Sequence, residues 1–185
     1  ARDFFQGPIP RTRVFVYPDQ RQFQRAKYGP LAAVLRLGWY IGDNLGADVL
    51  LVSPNARIRE HSRDSILHAV QHEFIHTVVF RLNPHCRLWL SEGLALYLAN
   101  GDFSSFPLQR QAIPGKAIFL TRNPLYFSRH GGYAYAHWFI EFILQDYGKD
   151  KLMDLVRTGD YEGTSGSAWI ASMTNGEAFS LREGG

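Results

Sequence analysis

Cysteine is almost absent from this chain of 185 residues, in which Cys86 is the only thiol. A single cysteine excludes an internal disulfide framework and leaves the redox compartment open. We interpret Cys86 as a buried thiol. Its neighbour His85 raises a catalytic thiol as a less favoured alternative, because residues adjacent in sequence rarely face each other as a nucleophile and its base must.

Long apolar runs and a strong charge of one sign are also lacking. No run approaches the roughly 18 residues that a membrane-spanning helix needs, and no signal peptide is recognisable. Lys and Arg exceed Asp and Glu by only 20 to 17, so nucleic-acid binding is not expected. The chain begins at Ala1 rather than Met, which favours a processed precursor and therefore an extracytoplasmic or anchored location.

The composition is sufficient for one hydrophobic core. Hydrophobic residues make up 45% of the chain, and we find neither an internal repeat nor a low-complexity linker. We therefore expect a single domain over residues 1–185, with its core in about residues 12–158 and a C-terminal tail that no pattern places.

The first third of the chain predicts a small sheet. Strands are expected at residues 13–17, 39–41 and 48–53, where β-branched and aromatic side chains cluster. A short helix, capped by Asp19 and ending near Lys27, should follow the first strand.

Beyond residue 62 the pattern becomes helical. The longest predicted helix is capped by Ser62 and ends at Asn83, and Pro84 follows it. Its apolar positions recur on one face: Leu67, Val70, Phe74 and Val78. Further helices are predicted over residues 88–98, 133–147 and 149–158, whereas residues 101–130 look mostly irregular. A sheet followed by helices predicts the α+β class.

The longest helix contains the segment His72-Glu73-Phe74-Ile75-His76. Residues four apart on a helix differ by about 40° in rotation and about 6 Å along the axis, so both imidazoles can converge on one ion. Glu73 is badly placed to be a third ligand but can reach a water on the open side of that ion. The competing interpretation is two ordinary polar residues on a packed helix, and a third ligand would decide between them.

Glu92 fits the requirement for that third ligand. It lies 16 positions beyond His76, early in the next predicted helix, and the break at Pro84 allows the chain to reverse. Its neighbours are apolar, and a carboxylate among them is costly to bury without a metal or a charged partner. The alternative is a surface glutamate in the first turn of a helix.

The segments HEFIH and WLSEGLALYL together resemble the gluzincin metallopeptidases. The sequence around Glu92 is similar to that of the M1-type aminopeptidases and closer still to that of small bacterial peptidase-like domains of the MA clan. The resemblance covers about residues 12–158 and implies a zincin-like fold. It also implies one Zn²⁺ held by His72, His76 and Glu92.

The resemblance further implies a group that stabilises the tetrahedral intermediate. Tyr135 is the best match, because it begins a long helix after a glycine pair, with Tyr133 and His137 as close alternatives. Thermolysin-type enzymes place an Asp four residues after the glutamate ligand, whereas this chain has Leu96 there. The departure argues against the thermolysin branch, and the groups that support the ligands must lie elsewhere.

The other histidines are not expected to bind the metal. His68 continues the four-residue series but lies about 12 Å from His76 along the helix axis, too far to share one ion. We expect it at the rim of the site. His61, His85 and His130 have no partner at ligand spacing and are interpreted as structural.

These features predict a zinc metallopeptidase that acts on a peptide or protein substrate. Glu73 is the expected general base, which takes a proton from the attacking water and later returns it to the leaving amine. The strand at residues 48–53, if it edges the cleft, could align the substrate as an added strand. Two alternatives remain: a zinc-retaining domain that binds peptide or a partner without turnover, and a basic binding module without metal.

Overall fold

The computed structural model describes residues 2–5, 11–32, 40–59, 61–99 and 117–159. These residues are mixed α/β and mostly helical, with one small sheet, which confirms the α+β expectation at a coarse level.

The backbone divides into two compact units. One comprises Ala1–Pro84 with Leu98–Gly101, and the other comprises His85–Tyr97 with Asp102–Gly185. Compact units within a chain of this length do not by themselves make separate domains. The single-domain expectation therefore stays a prediction.

Three strands form the sheet of the first unit: β1 (Val14–Tyr17), β2 (Gly42–Leu45) and β3 (Asp48–Val52). β3 is central, parallel to β1 and antiparallel to β2. The strands predicted at residues 13–17 and 48–53 are confirmed.

The strand predicted at residues 39–41 was placed too early. Residues 40 and 41 precede β2, and residue 39 lies outside the described residues. Gly46 and Ala47 form the loop between β2 and β3, and Gly46 adopts a φ of 60°, which glycine tolerates without steric cost. Because a two-residue loop fixes the register, Leu45 must pair with Asp48, and β2 must extend back from there.

Among the residues that the structure describes, the helices longer than a single turn are α1 (Gln20–Tyr28), α2 (Arg63–Leu82), α3 (Leu88–Leu98), α4 (Pro124–Arg129), α5 (Gly132–Asp146) and α6 (Gly148–Thr158). Single helical turns occur at Arg2–Phe5, Gly29–Leu31 and Ala117–Leu120. The predicted helices that correspond to α1, α2, α3, α5 and α6 are confirmed within a residue or two at their ends.

The prediction of mostly irregular structure over residues 101–130 is wrong for its last part. Ala117–Leu120 and α4 are helical, while residues 101–116 lie outside the described residues. The side chain of Asn123 accepts hydrogen bonds from Leu125 N and Tyr126 N at 3.0 and 3.2 Å. Pro124 follows at the first helical position, so a recognisable helix start was overlooked.

Both ends of α2 have the predicted caps. Ser62 Oγ accepts a hydrogen bond from Ser65 N at 3.1 Å, and Asn83 N donates to Val79 O at 2.8 Å. These contacts satisfy backbone groups that the helix itself leaves without a partner. Asp64 in the first turn and Arg81 in the last turn also suit the helix dipole.

The apolar face predicted for α2 is buried only in part: Val78 is buried, and Val70 packs against the core. Leu67 is 44% exposed, and Val70 and Phe74 are only half-buried. The helix instead buries these residues: Ile66, Ile75, His76, Thr77, Val78 and Val79. A helix that is buried all round over one stretch has no single apolar face there, so periodicity identified only part of the buried surface.

The core of the first unit forms around β3. Leu50, Leu51 and Val52 cluster with Phe23 of α1 and Ile66 of α2. Because both helices pack onto this core, the sheet fixes the position of α2 and of the side chains that it carries.

Arg81 adds a polar tie at the end of α2. Its guanidinium donates to Arg11 O, Thr12 Oγ and Ala47 O at 2.9, 3.1 and 3.3 Å. The contacts hold the residues before β1 and the β2–β3 loop against the helix.

In the second unit α3 packs against α5. Trp89 meets Phe139 edge-on with ring centroids 4.6 Å apart. A Cβ atom at Gly93 would lie 2.5 Å from Ala136 O and 2.8 Å from Ile140 Cγ1. The helices can therefore approach this closely only because residue 93 has no side chain.

Replacing Gly93 tests that constraint. Gly93→Ala should lower the free energy of unfolding by about 1–3 kcal/mol, because the added methyl overpacks the contact with α5. Denaturant unfolding with a chelator present measures the effect without any contribution from bound metal. Helix propensity alone favours Ala over Gly by about 1 kcal/mol, so a stabilised variant would contradict the close contact.

Candidate metal centre

The two histidines of the HEFIH segment face each other on α2. Their Nε2 atoms are 3.0 Å apart, and their ring planes cross at 81°. His76 is buried, with 8% of its surface exposed, and His72 is half-buried. The four-residue spacing thus brings both imidazoles to one point, as predicted.

Glu92 of α3 completes a group of three. One nitrogen from each histidine and one carboxylate oxygen of Glu92 all lie within 4.8 Å of one another. Such a group could hold a metal ion. Among the described residues, it is the one group of three or more His, Cys, Asp or Glu side chains that could hold a metal ion.

The geometry and the donor types can be compared with a zinc site. Two nitrogens, each about 2.0–2.1 Å from a tetrahedral ion, would be about 3.3 Å apart. The 3.0 Å between the histidine nitrogens needs only a small adjustment to reach that value. An N–H···N hydrogen bond also suits 3.0 Å, so the approach of Glu92 is the observation that favours a metal. Two imidazoles and one carboxylate are a ligand set that catalytic zinc uses.

Glu73 lies on α2 directly after His72 but is not a member of the ligand group. Its side chain is half-buried and reaches β2. Glu73 Cγ and Oε1 lie 3.1 and 3.3 Å from the point that a Cβ atom on Gly42 would occupy. Glu73 thus lies outside the ligand group, as its spacing predicts.

The three candidates for oxyanion stabilisation all lie on α5. Tyr135 is buried, and burial raises the pKa of its phenol. A tyrosine phenol is protonated at neutral pH even at its ordinary pKa of about 10, so it can donate a hydrogen bond there. Tyr133 meets Phe127 edge-on at 5.2 Å between ring centroids, and His137 lies 5.9 Å from Tyr97. The choice among the three stays a prediction.

Two of the histidines set aside have structural partners. His61 Nδ1 lies 3.3 Å from Ser65 Oγ at the start of α2. His130 Nδ1 lies 2.7 Å from Tyr126 O, and the two rings stack at 4.0 Å. His68 and His85 are exposed, and neither belongs to the ligand group.

The thiol of Cys86 is half-buried, so the prediction that it is buried is wrong. The residue belongs to the short connection between α2 and α3, which runs from Asn83 to Arg87. A connection of this length leaves little backbone to cover a side chain, which accounts for the difference.

The condition set for substrate alignment by the strand at residues 48–53, that it edges the cleft, is not met. β3 pairs on both sides, with β1 and with β2, and therefore cannot accept a further strand. β2 is the strand beside Glu73, and in the described part of the chain it pairs with β3 alone. The sequence signal was present in the Leu45-Gly46 turn, which places a hairpin partner before β3.

An ion pair holds β2 to α1. Lys27 Nζ lies 2.8 Å from Asp43 Oδ2 and also donates to Asn44 O at 3.3 Å. Burial raises the pKa of the Asp43 carboxyl, while Lys27, and to a smaller extent the backbone N–H of Asn44 and His76, oppose that rise.

Comparison with known proteins found no matching family model, no matching curated protein and no matching solved structure. No helix within the described ranges is both long and apolar enough to cross a membrane. The arrangement of the side chains is thus the basis for any functional conclusion.

Removing Glu92 tests the metal centre. Glu92→Ala should lower the metal content of protein purified without chelator from about one ion per chain to a small fraction, because two histidines alone leave a catalytic-type site one ligand short. Elemental analysis of the purified protein measures the content.

The exposed carboxylate of Asp146 on α5 offers a matched control. Asp146→Ala should leave the metal content unchanged. Full occupancy in Glu92→Ala would remove Glu92 from the ligands, and no metal in the unaltered protein would remove the site altogether.

Proposed function

We propose that this chain is a zinc metallopeptidase of the gluzincin type, with a zincin-like fold. The carrying observation is that His72, His76 and Glu92 offer three ligand atoms within 4.8 Å of one another. Glu73, the residue after the first ligand, stands outside that set. A ligand set with a separate neighbouring carboxylate supports hydrolysis more than simple metal storage.

Three protein ligands would leave one coordination position of the metal open for water. A zinc ion held there would keep one position open, lower the pKa of a water towards about 7 and polarise a carbonyl group. His72 and His76 must be neutral to donate their Nε2 lone pairs, so the site favours neutral pH over acidic pH.

Glu73 supplies the proton transfer. Its carboxylate takes a proton from the attacking water as the oxygen bonds to the carbonyl carbon of the peptide. Glu73 then returns this proton to the nitrogen of the leaving amine as the peptide bond breaks. The residue ends in its starting ionisation state, so one carboxylate serves both halves of the reaction.

The substrate is an extended peptide or protein segment. β2 pairs with β3 on one side, and its Gly42 lies beside Glu73. A segment added along the other side of β2 would be held through backbone hydrogen bonds and would pass near this carboxylate. β2 thus takes over the aligning role first assigned to the strand at residues 48–53.

Tyr135 is the proposed donor to the developing oxyanion. Its phenol is protonated at neutral pH, as a donor must be, because the ordinary pKa of tyrosine is about 10 and burial raises it further. The assignment also relies on the resemblance in sequence, which places a tyrosine or histidine in this part of the chain.

Glu73→Gln tests whether the site hydrolyses peptides. The amide has nearly the same shape but cannot accept the proton, so turnover should fall by about 10²- to 10⁴-fold while the zinc content and the fold are kept. The measurement is cleavage of a peptide library by both proteins at equal zinc occupancy. Asp64→Asn, an exposed change on the same helix, is the matched control and should leave turnover unaltered.

Two outcomes would contradict the proposal. Equal cleavage by wild-type and Glu73→Gln protein would assign the hydrolysis to another site or to a contaminant. If neither protein cleaves any peptide but both bind peptide with zinc in place, a non-catalytic zinc-retaining domain becomes the better account.

Tyr135→Phe tests the oxyanion donor. Loss of one such donor typically lowers kcat by about 10²- to 10³-fold, and zinc content should not change because the hydroxyl is not a ligand. Tyr133→Phe and His137→Gln, measured by the same assay, should have smaller effects. If either of these lowers kcat more than Tyr135→Phe does, the role belongs to that residue.

A further inference from the structure

The contact between β2 and Glu73 leaves almost no free volume. Gly42 is buried, and a Cβ atom built on it would lie 3.1 Å from Glu73 Cγ, 3.3 Å from Glu73 Oε1 and 3.6 Å from Ala69 Cβ. The two distances to Glu73 are shorter than ordinary van der Waals contact, whereas the distance to Ala69 is ordinary. Any side chain at residue 42 would therefore press on Glu73 in particular.

Backbone conformation does not explain the glycine. The glycines with positive φ among the described residues are Gly29, Gly46, Gly131, Gly148 and Gly159. Gly42 is not one of them, and it lies in regular pairing opposite Leu51 of β3. An alanine could adopt this conformation, so the space taken by Glu73 is the reason that remains.

β2 is held in place beside Glu73 by contacts with its neighbours. Lys27 of α1 binds both the side chain of Asp43 and the carbonyl of Asn44, and the short β2–β3 loop fixes the register. The strand thus cannot easily withdraw from a larger residue at position 42. The side chain of Glu73, with rotatable bonds, would have to move instead.

We infer that Gly42 is a positioning residue for Glu73: by lacking a Cβ atom, it allows the carboxylate to lie against the backbone of β2. The inference deepens the proposed peptidase function and rests on it, since the placement matters only if Glu73 acts on the attacking water. Gly42 itself touches neither the metal group nor the reacting atoms in this account.

Gly42→Ala tests the inference through kinetics. A carboxylate displaced by a few tenths of an ångström transfers protons less well, so kcat should fall by about 3- to 10-fold while KM changes by less than about 2-fold. Zinc content should be unaltered. Val16→Ala, an exposed change on β1, which has no part in the proposed site, is the control and should leave kcat and KM unchanged.

A stability cycle tests the steric contact without any turnover. Gly42→Ala should lower Tm in the wild-type background, because the new methyl presses on Glu73. In the Glu73→Ala background Cγ and Oε1 are absent, and Gly42→Ala should raise Tm, as replacement of a glycine by alanine does where the conformation permits it. The reversal of sign distinguishes this contact from a general effect on the strand.

The cycle separates two kinds of failure. The same Tm change in both backgrounds would overturn the role of Gly42. A rise in KM with kcat unchanged would also overturn it. Wild-type protein that carries zinc yet cleaves no peptide would refute the proposed function, while the Tm cycle would still decide whether Gly42 and Glu73 are in steric contact.

Discussion

The approach of two imidazoles within one helical turn is the constraint on which the site depends. Their Nε2 atoms can be 3.0 Å apart only if α2 is regular from one histidine to the next. The caps at Ser62 and Asn83 keep both ends of the helix ordered, and burial over residues 75–79 fixes its rotation. An amphipathic surface helix could carry the same pair, but it would not hold His76 at 8% exposure.

Two glycines, Gly42 and Gly93, help to place the side chains of Glu73 and Glu92. Gly42 gives Glu73 room beside β2, and Gly93, the residue after Glu92, lets α3 reach the backbone of α5. In each case the glycine acts by removing volume, because neither has a positive φ. The close contacts at these two glycines therefore help to place both carboxylates.

The local elements could be read from the sequence because their signals are local. The sequence predicts the bounds of α1, α2 and α3 within a residue or two. The signals are the caps at Asp19 and Ser62 and the prolines and glycines that follow the helices in sequence. The histidine pair follows from helix geometry alone, and the chain reversal at Pro84 predicts that Glu92 lies beside it, as the structure has it. The Pro124 helix start was equally local and was missed because the surrounding residues lack an apolar period.

Features that depend on pairing between distant segments could not be read in this way. Whether residues 48–53 are central or at an edge depends on which strands flank them, and their apolar run suits either position. The buried side of α2 likewise depends on what covers it, so Leu67 was assigned to the core although it is exposed. The contact of Gly42 with Glu73 joins residues 31 positions apart, and nothing near either residue signals it.

In the proposed mechanism, charge balance gives a reason for one glutamate to bind the metal and for the other to remain outside the ligand set. One carboxylate and two neutral imidazoles leave a divalent ion with a net charge of about +1, which still favours ionisation of a water. A second carboxylate ligand would cancel that charge and remove the reason for the water to lose its proton. Glu73 is therefore useful only if it stays outside the ligand set, close enough to receive the proton and too far to bind the ion. In the proposed mechanism, the contact with β2 at Gly42 keeps the Glu73 side chain outside the ligand set.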